Sequence, residues 1–184
     1  MGQNKALMLF RGIPLIQRVY NRILPVAAEV NIISSDEPDY RFMNLSVIPD
    51  QIPGKGVLSG IHTAMLVSRT PFVAPVGCDL PFISAALLKA ELNLIMDCGA
   101  DVVIPESQNG LEPLHAVYRQ HTCLPLVERS LQAGDNRIVS WFSNAVIRVF
   151  SLEEMTGADP DPHIFLNLNH PGEFTQAVEL PSVD

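Results

Sequence analysis

Apolar residues in this chain fall into two alternating patterns, short continuous runs and longer stretches with a three-to-four period. The runs at 30–34, 45–48, 73–78, 101–105 and 145–150 predict strands. Periodic stretches predict helices at about 14–24, from the 54–60 loop to about 68, 84–97, 124–132, 137–142 and 171–178. A short acidic helix is expected after residue 150, followed by a surface loop at 157–162. Residues 111–119 have a strand-like apolar half with polar ends. Residues 164–171 read as a strand with Asn167 and Asn169 on one face. Strands alternating with helices imply right-handed crossovers and a mostly parallel sheet with helices on both faces, an α/β three-layer sandwich.

The stretch Val73-Ala74-Pro75-Val76-Gly77-Cys78-Asp79-Leu80-Pro81-Phe82 holds its first charge until Asp79, at the carboxyl end of a buried strand. Open α/β sheets place their ligands at that end. Pro81 biases Leu80 away from helical geometry and so keeps Asp79 on a turn. Asp79 either caps the following helix or supplies a carboxylate to a hard cation. The strands ending near Asp36 and Asp50 would bring two more acidic groups to the same rim. Gly54-Lys55-Gly56 before a helix allows backbone amides to approach an anion, or is a surface turn. His62 and His115 are as well explained by packing as by chemistry. Asparagine forms strands poorly, so Asn167 and Asn169 need a polar partner or a water-facing edge.

Composition narrows the choices. The chain has 184 residues, 47% hydrophobic and 17% charged, which suits one domain with a sizeable core. A net charge of -8 disfavours a broad nucleic-acid or anionic-membrane surface, while a local phosphate pocket is still permitted. Lysine occurs only at positions 5, 55 and 89. Cys78, Cys98 and Cys123 are far apart in apolar surroundings, as expected of reduced packing residues in a cytoplasmic protein. No apolar run reaches membrane-spanning length, and no basic-then-apolar leader opens the sequence.

Seven motifs in order along the chain resemble the molybdenum cofactor guanylyltransferases, nucleotidyltransferases with a Rossmann-like fold. They are Met1-Gly2-Gln3-Asn4-Lys5-Ala6-Leu7, Arg11-Gly12-Ile13-Pro14-Leu15, Val47-Ile48-Pro49-Asp50, Gly56-Val57-Leu58-Ser59-Gly60-Ile61, Cys78-Asp79-Leu80-Pro81-Phe82, Glu112-Pro113-Leu114-His115-Ala116-Val117-Tyr118 and Phe165-Leu166-Asn167-Leu168-Asn169-His170-Pro171. The resemblance implies transfer of GMP from GTP to molybdopterin with magnesium, releasing pyrophosphate. It implies Lys5 on the triphosphate, Asp79 on magnesium, Asp50 and Asp36 in the guanosine pocket, and Pro81, Asn167 and Asn169 on the molybdopterin side. Arg137 would join them, since a guanidinium fork suits phosphate oxygens. Molybdoenzyme maturation proteins are the implied protein partners.

The sequence departs from the family pattern in two places. The motif at residues 1–7 resembles only the tail of the family's Gly-rich loop, without the strand before it, and Lys55-Gly56 stands where the family has Gly-Pro. A cytidylyltransferase acting on the same cofactor and a non-catalytic homologue that binds the pterin or a partner protein stay open as alternatives.

Overall fold

The computed structural model describes residues 4–35, 37–168 and 171–180. A 3-10 turn, Lys5–Leu7, is capped by Asn4, whose Oδ1 accepts from the Ala6 N–H. The hairpin of β1 (Leu9–Phe10) and β2 (Ile13–Pro14) turns through Arg11 and Gly12, both at positive φ. Two positive φ values make the tight turn that suits strand twist, and glycine supplies only one of them without strain. Arg11 is held there because its guanidinium donates to the carbonyls of Ala177, Val178 and Leu180.

Helix α1 (Leu15–Ile23) buries Leu15, Val19 and Ile23 at four-residue spacing, with Arg18 on the same face. Strand β3 (Asn31–Ile33) pairs in parallel with β4 (Ser46–Ile48), across a connection holding α2 (Glu37–Tyr40) and a 3-10 turn. Then follow α3 (Val57–Val67), β5 (Phe72–Val73), α4 (Ala85–Cys98), β6 (Val102–Ser107), β7 (Gly110–Leu111), β8 (Val117–Arg119), α5 (Gln120–Gln132), β9 (Ile147–Phe150), α6 (Leu152–Ala158) and α7 (Pro171–Val178). Helix α4 starts with the Ser84 Oγ accepting the Leu87 N–H and stops at Gly99, at φ +69°. Helix α6 opens with a capping box between Ser151 and Glu154.

Period-two alternation along β6 makes the layers. Val102 and Ile104 face Leu58, Ile61 and Met65 of α3 and Val127 of α5, while Val103 packs with Val19 of α1 and Leu87 and Ile95 of α4. Helices therefore cover both faces, and the expected three-layer α/β architecture is the observed one. The pairing is more mixed than expected. β3–β4 and β6–β9 are parallel, but β8 runs antiparallel to β5 on one side and to β6 on the other. The chain reverses at the two-residue turn between β6 and β7, which is too short for a crossover, and β7 and β8 both run back antiparallel to β6.

Three further expectations differ. The central strand is regular only over Phe72–Val73, with one isolated bridge from Val76 to His115. Residues 138–141 form turns leading to a 3-10 turn at Phe142–Asn144 in place of a helix. Residues 162–165 are turns and 166–168 irregular where a strand was expected. Just before that segment Asp159 accepts from the Asp161 N–H and Asp161 from the His163 N–H, and within it the Leu168 N–H donates to Asp79 O. Among the described residues no helix is long and apolar enough to cross a membrane.

Replacing Ile95, fully buried between α4 and the sheet, by alanine is expected to cost about 2–5 kcal/mol, read as a lower urea midpoint at unchanged slope.

Candidate active site

Residues 77–83 form an irregular strap between β5 and α4, and its geometry begins at Gly77. A Cβ placed there would lie 2.6 Å from Asp79 Oδ1, so the carboxylate folds back over backbone that only glycine leaves open. Beyond Asp79, Leu80, Phe82 and Ile83 are buried, and the strap's carbonyls need donors. Arg18 Nε donates to Pro81 O at 3.0 Å, Arg22 Nε to Ile83 O at 2.7 Å, and the Leu168 N–H to Asp79 O at 3.0 Å. The Arg18 guanidinium also stacks over Phe10 and Phe82, 5.2 and 5.9 Å from their ring centres. Asp79 and Pro81 are thus pinned from α1 on one side and from the 165–168 segment on the other.

Lys5 is exposed on a turn fixed by Asn4, which donates to Asp39 and to the Tyr40 hydroxyl. Its charge meets that of Asp79 at Cys78. Burial pushes the Cys78 thiol up to about 11, Asp79 adds to the rise, and Lys5 pulls the other way. A thiol held so high is a poor nucleophile. The thiol of Cys123 is likewise raised by burial, to about 12. Cys98 differs from the expectation of packing, because it is exposed at the end of α4.

Asp50 follows β4 on a loop docked to α3, with the Gln51 N–H donating to Thr63 Oγ1 at 3.0 Å and Ser59 Oγ to Ile52 O at 2.5 Å. The nearest contact of a Cβ at Gly60 would be Asp50 Oδ1, at 3.8 Å. That oxygen is buried with no hydrogen-bond partner among the described residues, and burial raises the carboxyl's pKa. Asp50, Gly77 and Cys78 line one cavity of about 940 Å³. Among the described residues, no three acidic, histidine or cysteine side chains converge as a metal cluster. Asp36 and Asn169 lie outside the described residues.

Asn167 is exposed next to Leu168, and the Leu168–Asp79 bond brings it to the strap. Arg137 stands apart. Its guanidinium is bound by Asp135, with Nε at 3.0 Å from Oδ1 and Nη2 at 2.5 Å from Oδ2, on a side chain 80% exposed. None of its contacts among the described residues reaches the strap. His62 is packed, with Nε2 3.4 Å from Glu128.

The sequence pattern did not single out Arg18, Arg22 or Glu91. Each had a signal, a charged residue on or beside the apolar stripe of a helix. Glu91 and His115 are both fully enclosed, with His115 Nδ1 3.4 Å from Glu91 Oε1 but not aligned as a hydrogen bond. His115 Nε2 accepts from the Ser84 N–H at 3.4 Å, which puts the ring proton on Nδ1, facing the carboxyl. Phe165 packs edge-on against the same ring. Burial pushes the Glu91 carboxyl up to about 7, and His115 opposes the shift.

Asp79 on a strap with pinned backbone, Lys5 and Asp79 both acting on the Cys78 thiol, and a cavity lined by Gly77, Cys78 and Asp50 make this edge the candidate site. The comparisons with known proteins give the family. Residues 1–148 match the family model described as MobA-like NTP transferase domain. A molybdenum cofactor guanylyltransferase from Desulfosudis oleivorans is 32% identical over 96% of this chain and 86% of its own length. A probable one from Carboxydothermus hydrogenoformans is 28% identical over 100% of this chain and 91% of its own. The crystal structure of molybdopterin-guanine dinucleotide biosynthesis protein A from Archaeoglobus fulgidus superposes with a TM-score of 0.83 at 23% identity, covering 97% of this chain and 90% of that one. The 2-C-methyl-D-erythritol 4-phosphate cytidylyltransferase from Thermus thermophilus shares the fold at a TM-score of 0.70 and 12% identity, over 95% and 92% of the two chains. The chain belongs to the MobA-like NTP transferase family, the group of the molybdenum cofactor guanylyltransferases, and is a nucleotidyltransferase.

Glu91 gives this region a pH signature. Unfolded, the carboxyl releases its proton near 4.5; folded, it holds it to about 7. The folded state therefore binds the extra proton between these values, and stability falls as pH rises through the window. Glu91→Gln should remove a fall on the order of 1–3 kcal/mol, read from urea midpoints at pH 5 and pH 8. Parallel pH profiles for the two proteins would refute it.

Proposed function

We propose that the protein transfers the GMP moiety of GTP to the terminal phosphate of molybdopterin. A phosphate oxygen of the pterin attacks the α-phosphorus, the bond to the bridging oxygen breaks, and pyrophosphate leaves with the electron pair. Two anions must meet, so holding them in line and neutralising their charge carry the catalysis. The reading is supported by one observation, that Lys5 and Asp79 both act on the Cys78 thiol, which lines the cavity with Gly77 and Asp50, in a family with relatives named guanylyltransferases.

In this reading Lys5 contacts the triphosphate and Asp79 supplies a hard oxygen ligand to magnesium at the α-phosphate. The residue suits that ion, since Asp79 offers a hard carboxylate oxygen folded over Gly77. Magnesium held by Asp79 would supply Lewis-acid charge neutralisation to the phosphates. Asp50, and Asp36 beyond the described residues, serve the guanosine end. Pro81, Asn167 and Asn169 serve the pterin end, with Asn167 brought to the strap through Leu168. Arg137 takes part only if the pterin phosphate displaces Asp135 from its guanidinium.

Titration calorimetry with GTP and magnesium tests the assignment. Asp79→Ala is expected to weaken binding by at least about tenfold, or about 1.4 kcal/mol. Gly77→Ala should weaken it in the same direction, because the new methyl group must drive the Asp79 carboxylate from its place. CTP binding more tightly than GTP would transfer the reading to the cytidylyl reaction, and binding of neither nucleotide would overturn it.

A further inference from the structure

A buried acid that no step of the transfer uses lies behind the strap. Glu91 and His115 are both enclosed, with Oε1 of one 3.4 Å from Nδ1 of the other, and neither carboxyl oxygen has a hydrogen-bond partner among the described residues. The Glu91 charge also reaches the Tyr118 hydroxyl, but that group donates elsewhere, to Pro113 O at 2.8 Å. A buried carboxyl without partners is costly, and an apolar residue of similar volume in its place is often as stable or more so. Packing alone does not account for Glu91.

His115 touches both ends of the Asp79 strap and the segment that carries Asn167. Its backbone bridges to Val76, where the chain enters the strap, and Leu114 beside it lies 3.7 Å from the place a Cβ on Gly77 would take. Its Nε2 accepts from the Ser84 N–H, just past the strap's end. Its ring packs edge-on against Phe165, two residues before Asn167, with centres 5.2 Å apart.

Holding the Ser84 N–H requires a lone pair on Nε2, so the ring proton must sit on Nδ1. Which nitrogen keeps the proton is set by what faces the other, and here the Glu91 carboxyl faces Nδ1. A carboxyl oxygen favours a proton on that nitrogen, through its carbonyl when neutral and more strongly when charged. With an apolar group in its place the proton is free to move to Nε2, and two N–H groups then oppose each other at Ser84. We propose that Glu91 is a positioning residue, which fixes His115 in the Nδ1–H tautomer so that His115 holds the end of the Asp79 strap. The consequence for nucleotide rests on the transfer reading; the tautomer and the strap do not.

The test uses the whole chain and its Glu91→Leu and Glu91→Gln variants. Ring-nitrogen NMR at pH 8 reports the tautomer, with the His115 signals identified by their loss in His115→Gln. The parent should show the Nδ1–H form, glutamine should keep it through its carbonyl, and leucine should lose it. Amide exchange at Ile83 and Ser84 should quicken by at least about tenfold in Glu91→Leu and stay within about twofold of the parent in Glu91→Gln. An Nε2–H or doubly protonated His115 in the parent overturns the proposal, even should Glu91→Leu fail to fold. So does a folded Glu91→Leu with the parent's tautomer and exchange.

Calorimetry separates this inference from the transfer reading. Glu91→Leu should bind GTP with magnesium at least about tenfold more weakly than the parent, and GTP with EDTA equally well, because the strap acts through Asp79. Equal affinity in magnesium would overturn the positioning role. A parent chain that binds no nucleotide overturns the transfer reading instead, and the ring and exchange measurements then decide the pair.

Discussion

Irregular backbone cannot be buried unless its carbonyls find donors, and that constraint shapes this molecule around the strap at residues 77–83. Pro81 has no N–H, and the strap joins no ladder of its own. Its carbonyls are taken by Arg18, Arg22 and the Leu168 N–H. α1 must therefore present two arginines one turn apart toward the core, and the hairpin before it must carry Phe10 under one of them. The Arg11 turn, strained at positive φ, then ties the hairpin to the far end of α7. A chemical group as small as one carboxylate is aimed by contacts that involve both ends of the described chain.

Behind the strap sits a second polar device of a different kind. The Glu91–His115 pair is sealed from water and bonds to the first residue of the α4 cap rather than to any substrate-facing atom. Ser84 combines these demands: its N–H goes to His115, its hydroxyl to Asp159, and its oxygen caps α4. A buried acid costs stability when charged, so its retention in a core otherwise filled by leucine and isoleucine marks a place where geometry outweighs burial.

The layers were legible in the sequence because periodicity reports which face of an element is buried. α1, α3 and α4 lie where the three-to-four spacing put them, and β3, β4, β6 and β9 where the apolar runs did. Periodicity says nothing of strand direction, so the reversal at the β6–β7 hairpin, which sends β8 back along β6, was hidden. Strand length failed at residues 73–78 for a related reason: an apolar run records burial, while a ladder also needs a neighbour to pair with, and beyond Val73 only Val76 finds one. At 164–168 the apolar alternation imitated a strand, but the Leu166 N–H bonds back to His163 in a turn and the Leu168 N–H goes to Asp79 O on the strap. In the candidate site, Asp79 and Asp50 could be read from their position after apolar runs. Arg18 and Glu91 could not, because a charge on an apolar helix face is outvoted by its neighbours in any averaging over the stripe. Arg137 was chosen because its fork suits phosphate oxygens, and the neighbouring Asp135 binds that fork.

The three thiols are unequal in a way that matters for survival in an oxidising environment. Two are buried or half-buried, with their pKa values pushed upward, which leaves little thiolate to react; the exposed one, Cys98, ends a helix of 14 residues that begins at the strap. That helix separates the ends by about 20 Å. Peroxide or an alkylating drug would therefore strike first at the sulfur farthest along α4 from Asp79, so chemical damage should accumulate there while the pinned carboxylate stays in place.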